Sequence, residues 1–154
     1  GMERGDARTA WFEWHRTLGF LVLLLTVVRL GWRLTHPPPP FPPDFPGWQR
    51  ILSRAVHWLF YALLIALPLA GWVYVSTGST AAETGMTTLV GGTPWPIIPG
   101  LPRSLHRPAA EMHVVLVWIA VALIALHVAA ALKHRFVDRS PVANRMPPFR
   151  VRVH

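Results

Sequence analysis

Four of the eight histidines, His15, His57, His113 and His127, lie within or at the edge of long apolar runs. An ionisable ring at that position is costly in hydrocarbon, so it marks a functional-site candidate. His113 and His127 are 14 residues apart, which on an ideal helix is about 21 Å along the axis and about 40° in azimuth. Both therefore face one side of one helix, near its opposite ends. His15 opens the first apolar run and His113 the third, and alternating spans bring these two openings to the same side of a membrane. Two imidazoles from facing helices at one depth can hold a haem iron axially. His127 has a depth suited to a second haem, but no partner for it is evident. Interhelical hydrogen bonding would account for any single one of these histidines. Zinc or copper is the weaker rival, because no third ligand of suitable type clusters with either position.

The first apolar run supports the histidines with a stripe at i+3 and i+4 spacing, His15, Gly19, Val22, Thr26, Arg29 and Arg33. Gly19 would let a porphyrin or a neighbouring helix approach closely. Arg29 would either neutralise haem propionates or phospholipid, or snorkel to the interface. Pro68, in Ala66-Leu67-Pro68-Leu69-Ala70-Gly71, is expected to kink the second run and open room beside it. Most of the tryptophans sit at span ends and read as interfacial anchors.

The elements that must position these residues follow from composition. The chain has 154 residues, 52% hydrophobic and only 14% charged, with the apolar residues gathered into three blocks. Blocks of about 20 residues are what a hydrocarbon core about 30 Å thick asks of a helix. The spacing predicts an all-α membrane bundle, one compact helical domain over 1–154 with spans at about 14–34, 55–75 and 112–132. The segment 36–47 holds seven prolines and reads as an extended linker. Residues 76–108 form a Gly-, Thr- and Pro-rich loop expected at the interface, where it would cap a site. The basic tail, 133–154, is expected to be poorly ordered alone.

A net charge of +8 would suggest nucleic acid in a protein surrounded by water. Here the basic residues flank apolar blocks, so no nucleic-acid partner is expected and membrane lipid is. The absence of cysteine excludes disulfides, thiolate metal sites and covalently attached haem. Residues 2–10 are polar and charged, and the first apolar run is as long as a span, so no cleavable signal peptide is read there. Arg29, Arg33, Arg50 and Arg54, with Lys133, Arg135, Arg139, Arg145, Arg150 and Arg152 of the tail, make one face strongly basic. Arg4, Arg8, Arg16, Arg103 and Arg107 on the other are roughly balanced by acids. The linker and C-terminus are therefore expected in the cytoplasm, with the N-terminus and long loop outside.

His15-Arg16-Thr17-Leu18-Gly19, Val28-Arg29-Leu30 with Arg33, His57 with Tyr61 and Ile65-Ala66-Leu67-Pro68, and His113 with His127 together resemble the prokaryotic cytochrome b561 family. That family includes the two-haem superoxide oxidases and is related to the cytochrome b subunits of hydrogenases and formate dehydrogenases. The likeness extends over nearly the whole chain, to Lys133-His134-Arg135. It implies a multi-pass protein of the bacterial inner membrane. It also implies four helices, of which this sequence matches the second, third and fourth, so the first is expected to be lacking. By resemblance His15 and His113 ligate an outer haem b, while His127 ligates an inner haem with a histidine from the first helix. One haem per chain is then expected, and two if that helix is supplied from elsewhere; a homo-oligomer is left open. His57 and His134 match polar positions that are not axial ligands. His57 and Tyr61, one turn apart, are read as a proton or quinone relay or as a packing pair.

The resemblance implies electron transfer between an outer-face donor and membrane quinone. If it extends to the superoxide oxidases, superoxide is oxidised outside and ubiquinone reduced, with Arg16, Arg103 and Arg107 steering the anion. The alternative is an anchor subunit that takes electrons from a redox partner protein, a peripheral dehydrogenase or hydrogenase.

Overall fold

The computed structural model describes residues 2–38, 40–41 and 46–136, without the side chains of 2–6, 82 and 134. Three long helices dominate: α1, Met2–Thr35; α2, Gly47–Ser76; and α4, His106–Phe136. Between the last two lie a short helix α3, Ser79–Thr84, and a hairpin of β1, Met86–Thr88, and β2, Pro94–Pro96. Each long helix holds a stretch apolar and long enough to cross a membrane, Ala7–Thr35, Gly47–Ser76 and Arg103–Lys133. The helices overrun the expected spans. Hydrocarbon sets how many apolar residues are needed, whereas backbone hydrogen bonding continues the helix until a breaker stops it. For α2 the breaker is the proline-rich segment, with Pro46 directly before Gly47.

Large apolar side chains stand outward along these helices, Trp11 at 76% exposure, Ile51 at 74% and Trp118 at 69%. Apolar surface on this scale needs lipid to cover it. The protein is thus an all-α membrane protein. It falls into two units, one running to Leu116 and one from Val117; the latter consists, among the described residues, of the remainder of α4.

In the first unit, one device is used twice to fasten the 76–108 segment. Thr17 on α1 donates its hydroxyl proton to the Glu13 carbonyl (2.8 Å) and accepts from the N–H of Val90 (3.0 Å). Ser76 at the end of α2 donates to the Trp72 carbonyl (2.7 Å) and accepts from the N–H of Ile98 (3.1 Å). A helix hydroxyl that bonds back to its own i−4 carbonyl still has lone pairs for a loop amide. The hairpin register places Thr87 opposite Trp95, so both side chains share one face. That face meets α1: Trp95 packs on Phe20 with ring centroids 4.9 Å apart, and Thr87 bonds Arg16. Arg16 and Phe20 are one turn apart on the same helix face. Trp72 completes the contact from α2, its ring 5.1 Å from Phe20 and its N–H donated to the Pro96 carbonyl. The loop is therefore an ordered cover over the middle of α1 and the C-terminal end of α2.

Candidate haem site

The four span histidines come to rest in different surroundings. His15 on α1 and His113 on α4 meet, their ring centroids 5.9 Å apart and their planes at 80°. With metal–nitrogen bonds of about 2 Å, that separation accommodates one ion between the two rings. Nδ1 of His113 lies 2.9 Å from the Leu67 carbonyl of α2. A carbonyl only accepts, so Nδ1 carries a proton, and the neutral tautomer compatible with this contact has its lone pair on Nε2, the form in which imidazole binds a metal. A backbone carbonyl on the far nitrogen also fixes ring orientation and raises ligand basicity.

The same ring occupies room left by a missing side chain. A Cβ built on Gly71 would lie 3.2 Å from both Cε1 and Nδ1 of His113. Gly71 stands one turn beyond Leu67 on α2, so the carbonyl that orients the ring and the gap that admits it belong to one helix face. His106, seven residues before His113 and hence on the same face of α4, ties the start of α4 to α2. It stacks on Tyr74 with centroids 4.5 Å apart and donates from Nδ1 to the Tyr74 carbonyl at 3.1 Å.

Beside the two imidazoles lies a cavity of about 610 Å³, within the roughly 300–1,000 Å³ typical of cofactor sites. Its walls are mostly apolar, with Phe12, Phe20, Leu67, Pro68 and Trp72 among them, and Gly19 and Val22 of the α1 stripe also line it. A Cβ on Gly19 would meet nothing within 4 Å, so that flank is open to a flat group. Arg16 and Thr87 bring polar atoms to the hairpin end. Among the described residues no three His, Asp or Glu side chains converge. Two imidazoles 5.9 Å apart at the wall of an apolar cavity of this volume are a donor set and lining that fit haem b.

The remaining expected residues lie elsewhere. Arg29 and Tyr61 are brought together, Nε of the arginine donating to the phenol oxygen at 3.3 Å. His57 donates from Nδ1 to the Ser53 carbonyl of its own helix at 2.6 Å. His127 belongs to the second unit. The side chain of His134 lies outside the described residues. Sequence reasoning passed over Gly71, the Leu67 carbonyl, His106 and the fastening of Arg16 to the hairpin. For His106 a signal existed in its seven-residue spacing from His113, and for Gly71 in a small residue one turn past Leu67 in a span. Arg16 gave none, because its partners are 71 and 72 residues away.

A membrane-spanning helical protein with two imidazoles in contact at the wall of an apolar cavity has the architecture of a membrane cytochrome. The profile of the prokaryotic cytochrome b561 family matches residues 1–148, and the chain belongs to that family of membrane electron-transfer proteins. Cytochrome b561 homolog 2 of Escherichia coli (strain K12) is 31% identical over 137 residues, covering 87% of this chain and 69% of that protein. Cytochrome b561 homolog 1 of the same organism is 29% identical, over 90% of this chain and 75% of its own length. A probable superoxide oxidase of Yersinia pestis, CybB, is 28% identical, over 94% and 81%. Membership of the family implies haem b and an interaction with quinone.

Proposed function

We propose that this protein holds haem b between His15 and His113 and passes electrons from a donor at the hairpin face to quinone in the membrane. The observation that carries this reading is the His113 ring, oriented by the Leu67 carbonyl and set 5.9 Å from His15. When bound, haem b supplies a one-electron relay, while ligands, burial and nearby charge set its potential. His113 and His15 offer the two axial nitrogens. Phe12, Phe20, Pro68 and Trp72 keep water from the cavity, and the hairpin covers its end through Thr17 and Ser76. At the opposite end of α1, Arg29 and Tyr61 offer donors to a quinone oxygen. His57 donates from Nδ1 to the Ser53 carbonyl and stands one turn before Tyr61 on α2, which places an imidazole beside that pair.

The donor in this reading is superoxide. Similarity to the probable superoxide oxidase of Yersinia pestis supports it, and Arg16 and Arg103, beside an Arg107 that is paired with Glu111, give the hairpin face a positive field for an anion. That face is the outer one, and the linker and C-terminus are cytoplasmic, by the distribution of Lys and Arg. A cysteine introduced at Ser79 of this cysteine-free chain is then labelled in intact cells by an impermeant reagent.

Purified protein mixed with ubiquinone and an enzymatic source of superoxide tests the activity. Quinol formed in step with superoxide consumed, by the protein alone, is the expected result. Quinol formed only when a peripheral dehydrogenase or hydrogenase is added would replace it with the anchor-subunit reading.

A further inference from the structure

We propose that Arg16, with Thr87 and Thr88, forms a carboxylate-binding subsite at the hairpin end of the cavity, and that it takes a carboxylate of the haem. The proposal rests on the reading that His15 and His113 hold that haem. Arg16 follows His15 directly, and both line the cavity, as do Thr87 and His113. The arginine donates from one terminal nitrogen to Thr87 Oγ1 at 2.9 Å and from the other to Thr88 Oγ1 at 3.3 Å. Both acceptors are neutral. Its Nε is buried and has no hydrogen-bond partner.

A guanidinium has five N–H donors in a rigid fork and no acceptor. Arg16 is half-buried, and burying its Nε without an acceptor is unfavourable unless an anion completes the set. Among the described residues no carboxylate stands at ion-pair distance from it: Glu13, a turn earlier on α1, favours its charge only through the field, and Glu111 pairs with Arg107. Thr87 is 6% exposed, and its hydroxyl, having accepted from Arg16, still has a proton to donate. The hairpin thus fixes the fork by its terminal nitrogens and leaves a set of donors at the rim of an otherwise apolar cavity.

Donors without acceptors select an anionic oxygen, and carboxylate matches a guanidinium fork in shape. A lipid phosphate or a small anion from water has the same chemistry. Haem b brings its own carboxylates on the edge of the ring whose iron the neighbouring residue would bind. No other source is tethered to this cavity.

The test compares haem b with its dimethyl ester, which lacks the carboxylates, in the wild type and in Arg16→Gln. The readout is haem affinity, followed by transfer from the protein to an excess of apomyoglobin. A charge-assisted contact predicts that Arg16→Gln weakens haem b binding by about tenfold or more. Binding of the ester changes by no more than about twofold. Arg16→Lys, which keeps the charge and loses the fork, falls between. Thr87→Val, which frees the fork without removing it, weakens haem b binding in the same direction by less, and stands in if Arg16→Gln does not fold.

Equal weakening for haem b and the ester would mean that Arg16 only holds the hairpin, and would overturn the subsite. So would no weakening of either, the result expected if a lipid or a free anion occupies the fork. Failure of the underlying haem site is seen separately, as full retention of haem in His113→Ala.

Discussion

His113 and His57 are held in the same way chemically and in opposite ways structurally. Each donates from Nδ1 to a backbone carbonyl, but the acceptor for His57 is Ser53, four residues back on its own helix. The acceptor for His113 is Leu67, 46 residues away on another helix. A bond to i−4 satisfies one polar atom of a ring wherever the helix goes. A bond across helices fixes the ring relative to a second body, and here the second body also leaves out a side chain, at Gly71, to admit it. Cross-element orientation of a nitrogen is what a metal ligand requires; local satisfaction is what a histidine in a span needs simply to exist there.

The largest effect separates these two rings. His113→Ala should lose most of the bound haem, and His57→Ala should keep it, as read by a pyridine haemochrome assay per chain. Comparable losses would remove the distinction. His127 sharpens it further: His127→Ala is expected to lose little haem. Two bis-histidine haems per wild-type chain, one of them lost in His127→Ala, would show a second complete site.

A smaller effect is expected at Gly71. The Cβ of Gly71→Ala would sit 3.2 Å from the His113 ring, so the ring or α2 must give by a few tenths of an ångström, an overpacking cost of about 1–3 kcal/mol. Haem is retained, with a shifted ferric spectrum and a lower thermal midpoint, and Gly71→Val is worse. Gly19→Ala serves as the contrast, since its Cβ meets nothing within 4 Å.

The smallest effect belongs to the Arg29–Tyr61 contact, whose 3.3 Å separation is long for an N–H···O bond. Tyr61→Phe should change stability by no more than about 1 kcal/mol and leave haem content intact. A slower rate of quinone reduction with unchanged haem would place the pair in quinone chemistry; an unchanged rate would leave it to packing.

The gradation follows what the sequence made legible. Three spans could be read because apolar length is a property of each segment alone, and the hydrocarbon thickness sets it. The facing of His15 and His113 could be read from depth, since both open spans on one side. The Leu67 carbonyl could not, because backbone acceptors leave no mark in a residue list. Nor could the order in residues 76–108: Gly, Thr and Pro there specify turns, and only the hydroxyls of Thr17 and Ser76, far off in sequence, fasten them. Gly71 was visible as a small residue in a span, but what it makes room for depends on the approach of α4.

The most direct measurement is the low-spin spectrum of the ferric protein in His15→Gly and His113→Gly, recorded before and after adding imidazole. Loss of the bis-histidine signature in each variant, with its return when free imidazole occupies the gap, is the predicted result. Full haem content and an unchanged spectrum in both variants would contradict the assignment of the two imidazoles as the axial pair.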